Sequence, residues 1–502
     1  MRFPSGGGRL PSRSARRGVG FAYLLLTVFT VFTIFLVLVD GVAGIEAGSN
    51  ALGQFALDRL LLDARDIFGG GDGDEGYFLS EDEKGGEEEV AAAAGRRREI
   101  GGVEEDEEED EEDDDGYDAK LLVAYNARMY DSYGHGHGYA YNKYARWMAQ
   151  IPNDTPVTQL TIPGTHDAAT WNYTQTTQDS LLNLTRACDG GITPKPARVY
   201  RCQKKSLAQS LAAGVRFFDL RFAMDPLDTR IAFWHGPALL SGVAEMKDVL
   251  FALYDWLDGH PSEFVMLSLQ YETGTREGVG SDQGVQRGLF RALTDRVARR
   301  YVVQERGWLG DLGSVRGKIV LFRRFDLDKL PPEYEAAMPG LHMSPVKWTD
   351  NSRGFELVYN ETTAAAAAAG SSSDSDSDTG TAFIEDFYHP DNATTVAENI
   401  DAKFDAVERH LRQAAAIMDT ETGKVKVKDG LFVTFTSGTH VEIDPPVYPE
   451  VMALGSAGPP AVRGINERLK DLLGELKGQR LGVVVMDFFE EPGDLIDLLL
   501  GF

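Results

Sequence analysis

Beyond residue 144 the chain alternates short apolar, β-branched runs with stretches of helical periodicity, the pattern of parallel β/α units. Eight runs read as strands: Val157–Ile162, Val215–Leu220, Arg230–Trp234, Glu263–Leu269, Lys318–Arg323, Ala382–Asp386, Leu431–Thr436 and Gly482–Asp487. Helical spacing fills gaps at Lys204–Ala213, Glu245–Leu257, Val285–Arg300, Val396–Met418 and Arg463–Leu476. Near-continuous apolar strands need cover on both faces, so the expected fold is α/β, a TIM-like (β/α) barrel, with an open doubly wound sheet as the alternative.

The first half of the chain has a different pattern. Residues 1–18 carry five arginines and no acid, and an uncharged apolar run follows over 19–39, long enough for a transmembrane signal anchor. The basic flank places the N-terminus in the cytosol, so the rest is expected to be lumenal or extracellular, or secreted if the anchor is cleaved. Residues 40–118 read as a disordered acidic spacer, and 119–502 as the catalytic barrel with a low-complexity loop insertion at 362–380.

Charge changes this picture little. Of the formal −28, the twelve consecutive acids from Glu104 to Asp115 supply −12, leaving −16 elsewhere; nucleic acid is excluded as a partner. Glycosylation sequons start at Asn153, Asn172, Asn183, Asn360 and Asn392. Cys188 and Cys202 bracket a Gly-, Pro- and Lys-containing loop and are expected to pair as a disulfide in an oxidising compartment. His135 and His137, flanked by glycines, read as part of a flexible turn rather than a metal site.

In a barrel, chemistry gathers where strands end. The first run ends in His166-Asp167, the second in Asp219-Leu220-Arg221, the third in Trp234-His235, the last in Met486-Asp487. Two histidines with an arginine suit a phosphodiester: one imidazole takes a proton from the attacking oxygen, the other gives one to the leaving oxygen, and the guanidinium meets the phosphate.

The pieces LTIPGTHDAAT at 160–170, GVRFFDLRF at 214–222, FWHGP at 233–237, EFVMLSLQYE at 263–272, VRGKIVLFRRF at 315–325, IEDFY at 384–388 and VVVMDFF at 483–489 resemble, in order and spacing, the phosphatidylinositol-specific phospholipase C X-domain family. The resemblance spans 151–489. It implies His166 as general base held by Asp487, His235 as general acid supported by Asp167, and Arg221 on the phosphate. It also implies that Arg324, Asp386 and Tyr388 hold inositol hydroxyls. In the calcium-dependent relatives, acids occupy the positions of Asp219 and Arg221 and a Glu that of Gln270. Here Arg221 is a cation and Gln270 is neutral, so no Ca2+ or other cofactor is expected. Where bacterial members carry lysines, this chain has Gln270 and Tyr271, followed by Glu272, which bears on the head group. The expectation is a membrane-tethered monomer acting on phosphatidylinositol-type phospholipid and releasing diacylglycerol and a cyclic inositol phosphate. The alternatives are another head group, a glycerophosphodiester or sphingolipid, or a non-catalytic lipid-binding scaffold.

Overall fold

The computed structural model describes residues 128–134, 143–188, 194–227, 229–272, 283–306, 309–359, 380–416 and 430–502. The apolar run at 19–39, the acidic spacer, the insertion at 362–379, Asn360, His135 and His137 lie outside them. No described helix is long and apolar enough to cross a membrane.

The strands are β1 (Thr161–Thr165), β2 (Phe217–Met224), β3 (Ile231–His235), β4 (Ala238–Leu239), β5 (Val265–Tyr271), β6 (Ile319–Arg324), β7 (Leu341–His342), β8 (Phe355–Tyr359), β9 (Gly380–Glu385), β10 (Leu431–Phe435), the short pair β11 (Gly455–Ser456) and β12 (Val462–Arg463), and β13 (Gly482–Met486). Parallel pairing runs β7, β6, β5, β2, β1, β13, β10, β9, and β8 adds antiparallel to β9. The result is a nearly closed barrel whose ladder stays open between β7 and β8 among the described residues.

Two strand expectations need correction. The run at 230–234 forms β3, which pairs antiparallel with the end of β2 as a hairpin and is not a barrel stave. Its place among the eight parallel strands is taken by the two-residue β7, too short to show any period in the sequence. All five expected helices form, at Leu207–Ala212, Met246–Gly259, Gln283–Thr294 with a further turn at Ala298–Tyr301, Val396–Ala416 and Ile465–Glu475. The first starts from a capping box in which Ser206 Oγ accepts from the Gln209 amide and the Gln209 side chain accepts from the Ser206 amide, an arrangement worth about 1 kcal/mol. Gly214, at φ 105°, then turns the chain into β2, and a Cβ there would press on Ile496 at 3.1 Å.

Alternation along the strands builds the barrel interior in layers. Ile162, Phe217, Met266, Val320, Ala382, Leu431 and Val483 share one buried cluster with Phe322, Ile384, Val433 and Val485 one step higher. Gly164, in that upper layer, leaves room for Phe217, whose side chain a Cβ at Gly164 would meet at 3.0 Å. Phe217 and Phe322 pack edge to face with centroids 5.8 Å apart, both fully buried, each burial worth about 1.5–3 kcal/mol. Two residues further along the same strands come His166, Arg221, Gln270, Arg324, Asp386, Phe435 and Asp487. Period-2 geometry thus sets a ring that is polar except for Phe435 on an apolar plug.

The opposite end is closed by a fully buried ion pair. Arg216 Nη2 lies 2.8 Å from Glu263 Oε2, and its other donors reach the carbonyls of Tyr144, Ala145, Leu211 and Val215. Glu263 Oε1 accepts from the Met148 amide and from Ser262 Oγ. With its donors saturated, this arginine holds the base of β2 and β5 and takes no part in the mouth.

The expected Cys188–Cys202 disulfide is not formed: Cys202 is a free, fully buried thiol. Its Sγ makes a 3.5 Å contact with the Tyr200 carbonyl, and its backbone carbonyl accepts from the Phe488 amide. The loop is thereby pinned inward to the barrel mouth. Cys188 ends the helix Gln175–Cys188, and its side chain lies outside the described residues. Among the sequons, Asn153, Asn183 and Asn392 are exposed. At Asn172 the Nδ2, the atom that carries a glycan in a used sequon, donates to Asp131 at 2.8 Å.

Candidate active site

His166 leaves the end of β1, next to β13, and its Nδ1 lies 2.9 Å from Asp487 Oδ1. Arg221 Nη2 sits 2.8 Å from His166 Nε2. A guanidinium only donates, so Nε2 carries the lone pair and Nδ1–H points to Asp487. Burial, then the Arg221 charge, hold the His166 pKa well below its usual value. Burial pushes Asp487 well up, but the tautomer fixed by Arg221 requires its Oδ1 to accept. His166 is a neutral imidazole with a basic nitrogen facing the mouth.

His235 ends β3, which the hairpin folds over β2. Its Nδ1 lies 2.8 Å from Asp167 Oδ2 and 2.8 Å from the Tyr200 carbonyl. Burial pulls its pKa down, yet Asp167, by charge and hydrogen bond, outweighs this and raises it. Asp167 is held low, burial being overcome by His235 and Arg221. It adopts a left-handed backbone, φ 45°, which turns its carboxylate toward His235 where His166 points to Asp487. The two rings stand at 89° with centroids 6.1 Å apart, one basic and one acidic.

Arg221 joins the pair. Its Nε lies 3.5 Å from Asp167 Oδ2 and 3.6 Å from Asp219 Oδ2, with Glu272 at 3.8 Å from Nη1. Burial lowers its pKa, but Asp167, Glu272 and Asp219 raise it further still, keeping the charge permanent. Asp219 is also tied to Ser268 Oγ at 2.8 Å and lies 3.8 Å from Arg324 Nη1. The carboxylates that would attract a hard cation are therefore already neutralised by guanidinium, and the site needs no metal cofactor.

The residues matched to head-group binding form the rest of the rim. Gln270 stands in register between Arg221 and Arg324 on adjacent strands, and its Oε1, like Thr436 Oγ1, is buried with no hydrogen-bond partner. Arg324 stacks on Trp348 with its guanidinium 3.7 Å from the ring centroid, and burial lowers its pKa. Trp348 Nε1 donates to Asp386 Oδ2 at 2.7 Å; burial, offset in part by Arg324, raises the Asp386 pKa. Tyr388 lies further out and donates to Asp350 at 3.1 Å.

Several contributors had no distinct signal in the sequence. Trp348 follows a two-residue strand. Gln203 Nε2 donates to the carbonyls of His166 and Met486, fixing the adjoining ends of β1 and β13. Lys403, on the helix Val396–Ala416, is fully buried and donates to both Glu385 oxygens, at 2.9 and 3.1 Å, and to the Phe435 carbonyl at 2.6 Å. Burial pushes Glu385 up to about 7 despite that lysine. The pair locks together the ends of β9 and β10, where Asp386 and Phe435 enter the mouth. Cys202 lies within 4.8 Å of both His166–Asp487 and Asp167–His235. Burial, and then Asp487, raise the thiol well above its usual pKa, so it is a neutral neighbour rather than a ligand.

A barrel mouth that sets two histidines in opposite electrostatic surroundings beside an arginine is suited to acid–base work on a phosphodiester. No family model matches the chain. It is 30% identical over 176 residues to the 1-phosphatidylinositol phosphodiesterase of Listeria monocytogenes, covering 35% of this chain and 47% of that protein. Against a PI-PLC X domain-containing protein 1 of Danio rerio it is 31% identical over 151 residues, covering 28% of this chain and 47% of that protein. The chain thus spans about half the length of these curated relatives. A mutant phosphatidylinositol-specific phospholipase C from Staphylococcus aureus superposes with a TM-score of 0.49 at 19% identity, over 72% of this chain and 97% of that one. The resemblance read from the motifs stands: over about a third of its length this chain is similar to a phosphatidylinositol phosphodiesterase and to PI-PLC X domain-containing proteins.

Proposed function

We propose that the chain is a phospholipase C-type phosphodiesterase that cleaves phosphatidylinositol-type lipids by two-histidine catalysis. The observation that carries this reading is the opposition of His166, whose neutral form is favoured by burial and Arg221, to His235, whose protonated form is favoured by Asp167, across a shared mouth. A phosphate competes with His166 Nε2 for the Arg221 N–H, drawing the guanidinium onto its oxygens and freeing the base. His166 then takes the proton of the inositol 2-hydroxyl as that oxygen bonds to phosphorus. The bond from phosphorus to the diacylglycerol oxygen breaks, and His235 supplies its proton to the departing alkoxide. The product is a cyclic phosphodiester, and the roles reverse when water opens it. Arg221 stabilises the charge on the phosphate oxygens throughout.

Head-group selection falls to Arg324, Asp386 and Tyr388, with Gln270 and Glu272 adding no positive charge at their positions. The apolar run at 19–39 and the sequons support a lumenal or extracellular barrel tethered to a membrane by the acidic spacer. A mobility shift on glycosidase treatment of protein from eukaryotic cells would support that topology, and its absence would overturn it.

The functional test presents the full chain with phosphatidylinositol in mixed micelles containing EDTA and follows phosphorus NMR. A cyclic inositol phosphate that disappears with His235→Ala is expected. Turnover retained by that variant refutes the role of His235, and binding without product in the wild type points to a scaffold.

A further inference from the structure

A second cluster of histidines lies on the rim, outside the machinery assigned above. His389 follows Tyr388 beyond β9; His440 and Glu442 follow β10. His389 Nδ1 lies 2.8 Å from Asp391 Oδ1, and His440 Nδ1 lies 2.9 Å from Asn399 Oδ1. Each ring is thus oriented by an oxygen at Nδ1, which leaves Nε2 as the lone-pair nitrogen in the neutral tautomer. That is the outer-sphere pattern of metal-bound histidines.

The two rings lie 4.3 Å apart by centroid, and Glu442 Oε2 sits 3.3 Å from His389 Nε2. In the metal-free protein that nitrogen and that oxygen share a proton, and a cation that displaces the proton is held by both. Ligand atoms about 2.0–2.1 Å from a tetrahedral zinc stand roughly 3.4 Å apart. One ligand atom from each of His389, His440 and Glu442 falls within 4.8 Å of the others, so a small inward shift completes the set. His440 and Asn399 are buried, at 5% and 0% exposure, and make a rigid floor. His389 and Glu442 are open to solvent and give an ion access. Lys195 holds Oε1 of Glu442 at 2.7 Å, leaving Oε2 toward the rings; hydrogen bonds from Lys195, then His389, pull Glu442 down to about 2.

We propose that His389, His440 and Glu442 bind a zinc ion with an open fourth position, clamping the loops after β9 and β10. The loops already touch through the Thr439 amide and the Tyr388 carbonyl at 2.9 Å. The ion sits beside the loop that presents Asp386 and Tyr388, apart from the His166–His235 pair, and takes no part in proton transfer.

The test uses the full chain in detergent, stripped with EDTA, dialysed and titrated with Co2+ and then Zn2+. One equivalent of Co2+ with a tetrahedral visible band, displaced by Zn2+, is expected, along with a zinc-dependent rise in the thermal midpoint. Both effects should vanish in His389→Gln and in Glu442→Gln, solvent-accessible positions where the fold is retained, as circular dichroism would verify. Absence of saturable binding overturns the proposal. Binding unchanged in both variants also overturns it, placing the ion on other groups such as His135 and His137 or Cys202.

Discussion

Replacing Asp167 with Asn isolates the charge that raises the His235 pKa. Asn tolerates the left-handed backbone at this position and keeps the side-chain shape, so the perturbation is electrostatic. In the wild type, Asp167 Oδ2 at 2.8 Å outweighs the burial that would otherwise depress the imidazole. Removing an opposite charge at such range lowers a pKa by about one to three units. Each unit is about 1.4 kcal/mol, a factor of ten in the protonated fraction once pH exceeds the pKa. The pH profile of kcat/KM on phosphatidylinositol micelles should be bell-shaped. Its acidic limb reports His166, displaced downward, and its alkaline limb His235, displaced upward. In Asp167→Asn the alkaline limb should move to lower pH by about one to three units. Above both limbs, kcat/KM should then fall roughly ten- to a thousandfold. An unmoved alkaline limb refutes the support role of Asp167; the acidic limb should also move to lower pH, because Asp167 raises His166 as well.

Three further outcomes follow from other contacts. Arg221→Met should lower kcat roughly 10²- to 10³-fold without unfolding; wild-type kcat should be indifferent to EDTA and Ca2+, and Ca2+ rescue of the variant would show that the carboxylates around Arg221 accept a metal after all. Lys403→Met should cost about 3–5 kcal/mol in urea unfolding by leaving Glu385 buried and unpaired, and adding Glu385→Gln should restore most of it; a neutral single variant would mean the buried pair carries no such coupling. His410, buried against Thr434 Oγ1, has its pKa lowered to about 4, burial being the first cause. The unfolded chain protonates that imidazole below about 6.5 while the folded one does not. The contribution is therefore whole above pH 6.5 and is lost as pH falls toward 4, about 3 kcal/mol in all. His410→Gln should flatten that slope, and an unchanged slope would place the acid sensitivity elsewhere.

Much of this was determined locally. Seven of the eight runs read from hydrophobic pattern become staves of the barrel, because a β-branched run buried on both faces has no other stable use. The same two-residue period carried the polar residues at the ends of those runs onto the inner face, so His166, Arg221 and Asp487 were legible from the runs themselves, whereas Arg324 and Asp386 were singled out only by the family resemblance. What failed was what depends on distant partners. The run ending at His235 has strand composition, but only its pairing with the outer half of β2 decides that it folds back over the mouth. Arg216 and Arg221 stand five residues apart in one motif. One is locked to Glu263 at the base and the other meets His166 and Asp167 at the mouth, a difference set by which end of the barrel each occupies. Cys202 looked like half of a disulfide until the loop's backbone bond to Phe488 turned it inward. Lys403 and Glu385, and the three residues of the rim cluster, come from segments 18 to 53 positions apart. Local sequence determined which residues could form strands and which polar groups would crown them; tertiary structure alone decided which charges meet, because a contact between distant segments exists only once the barrel has brought their ends together.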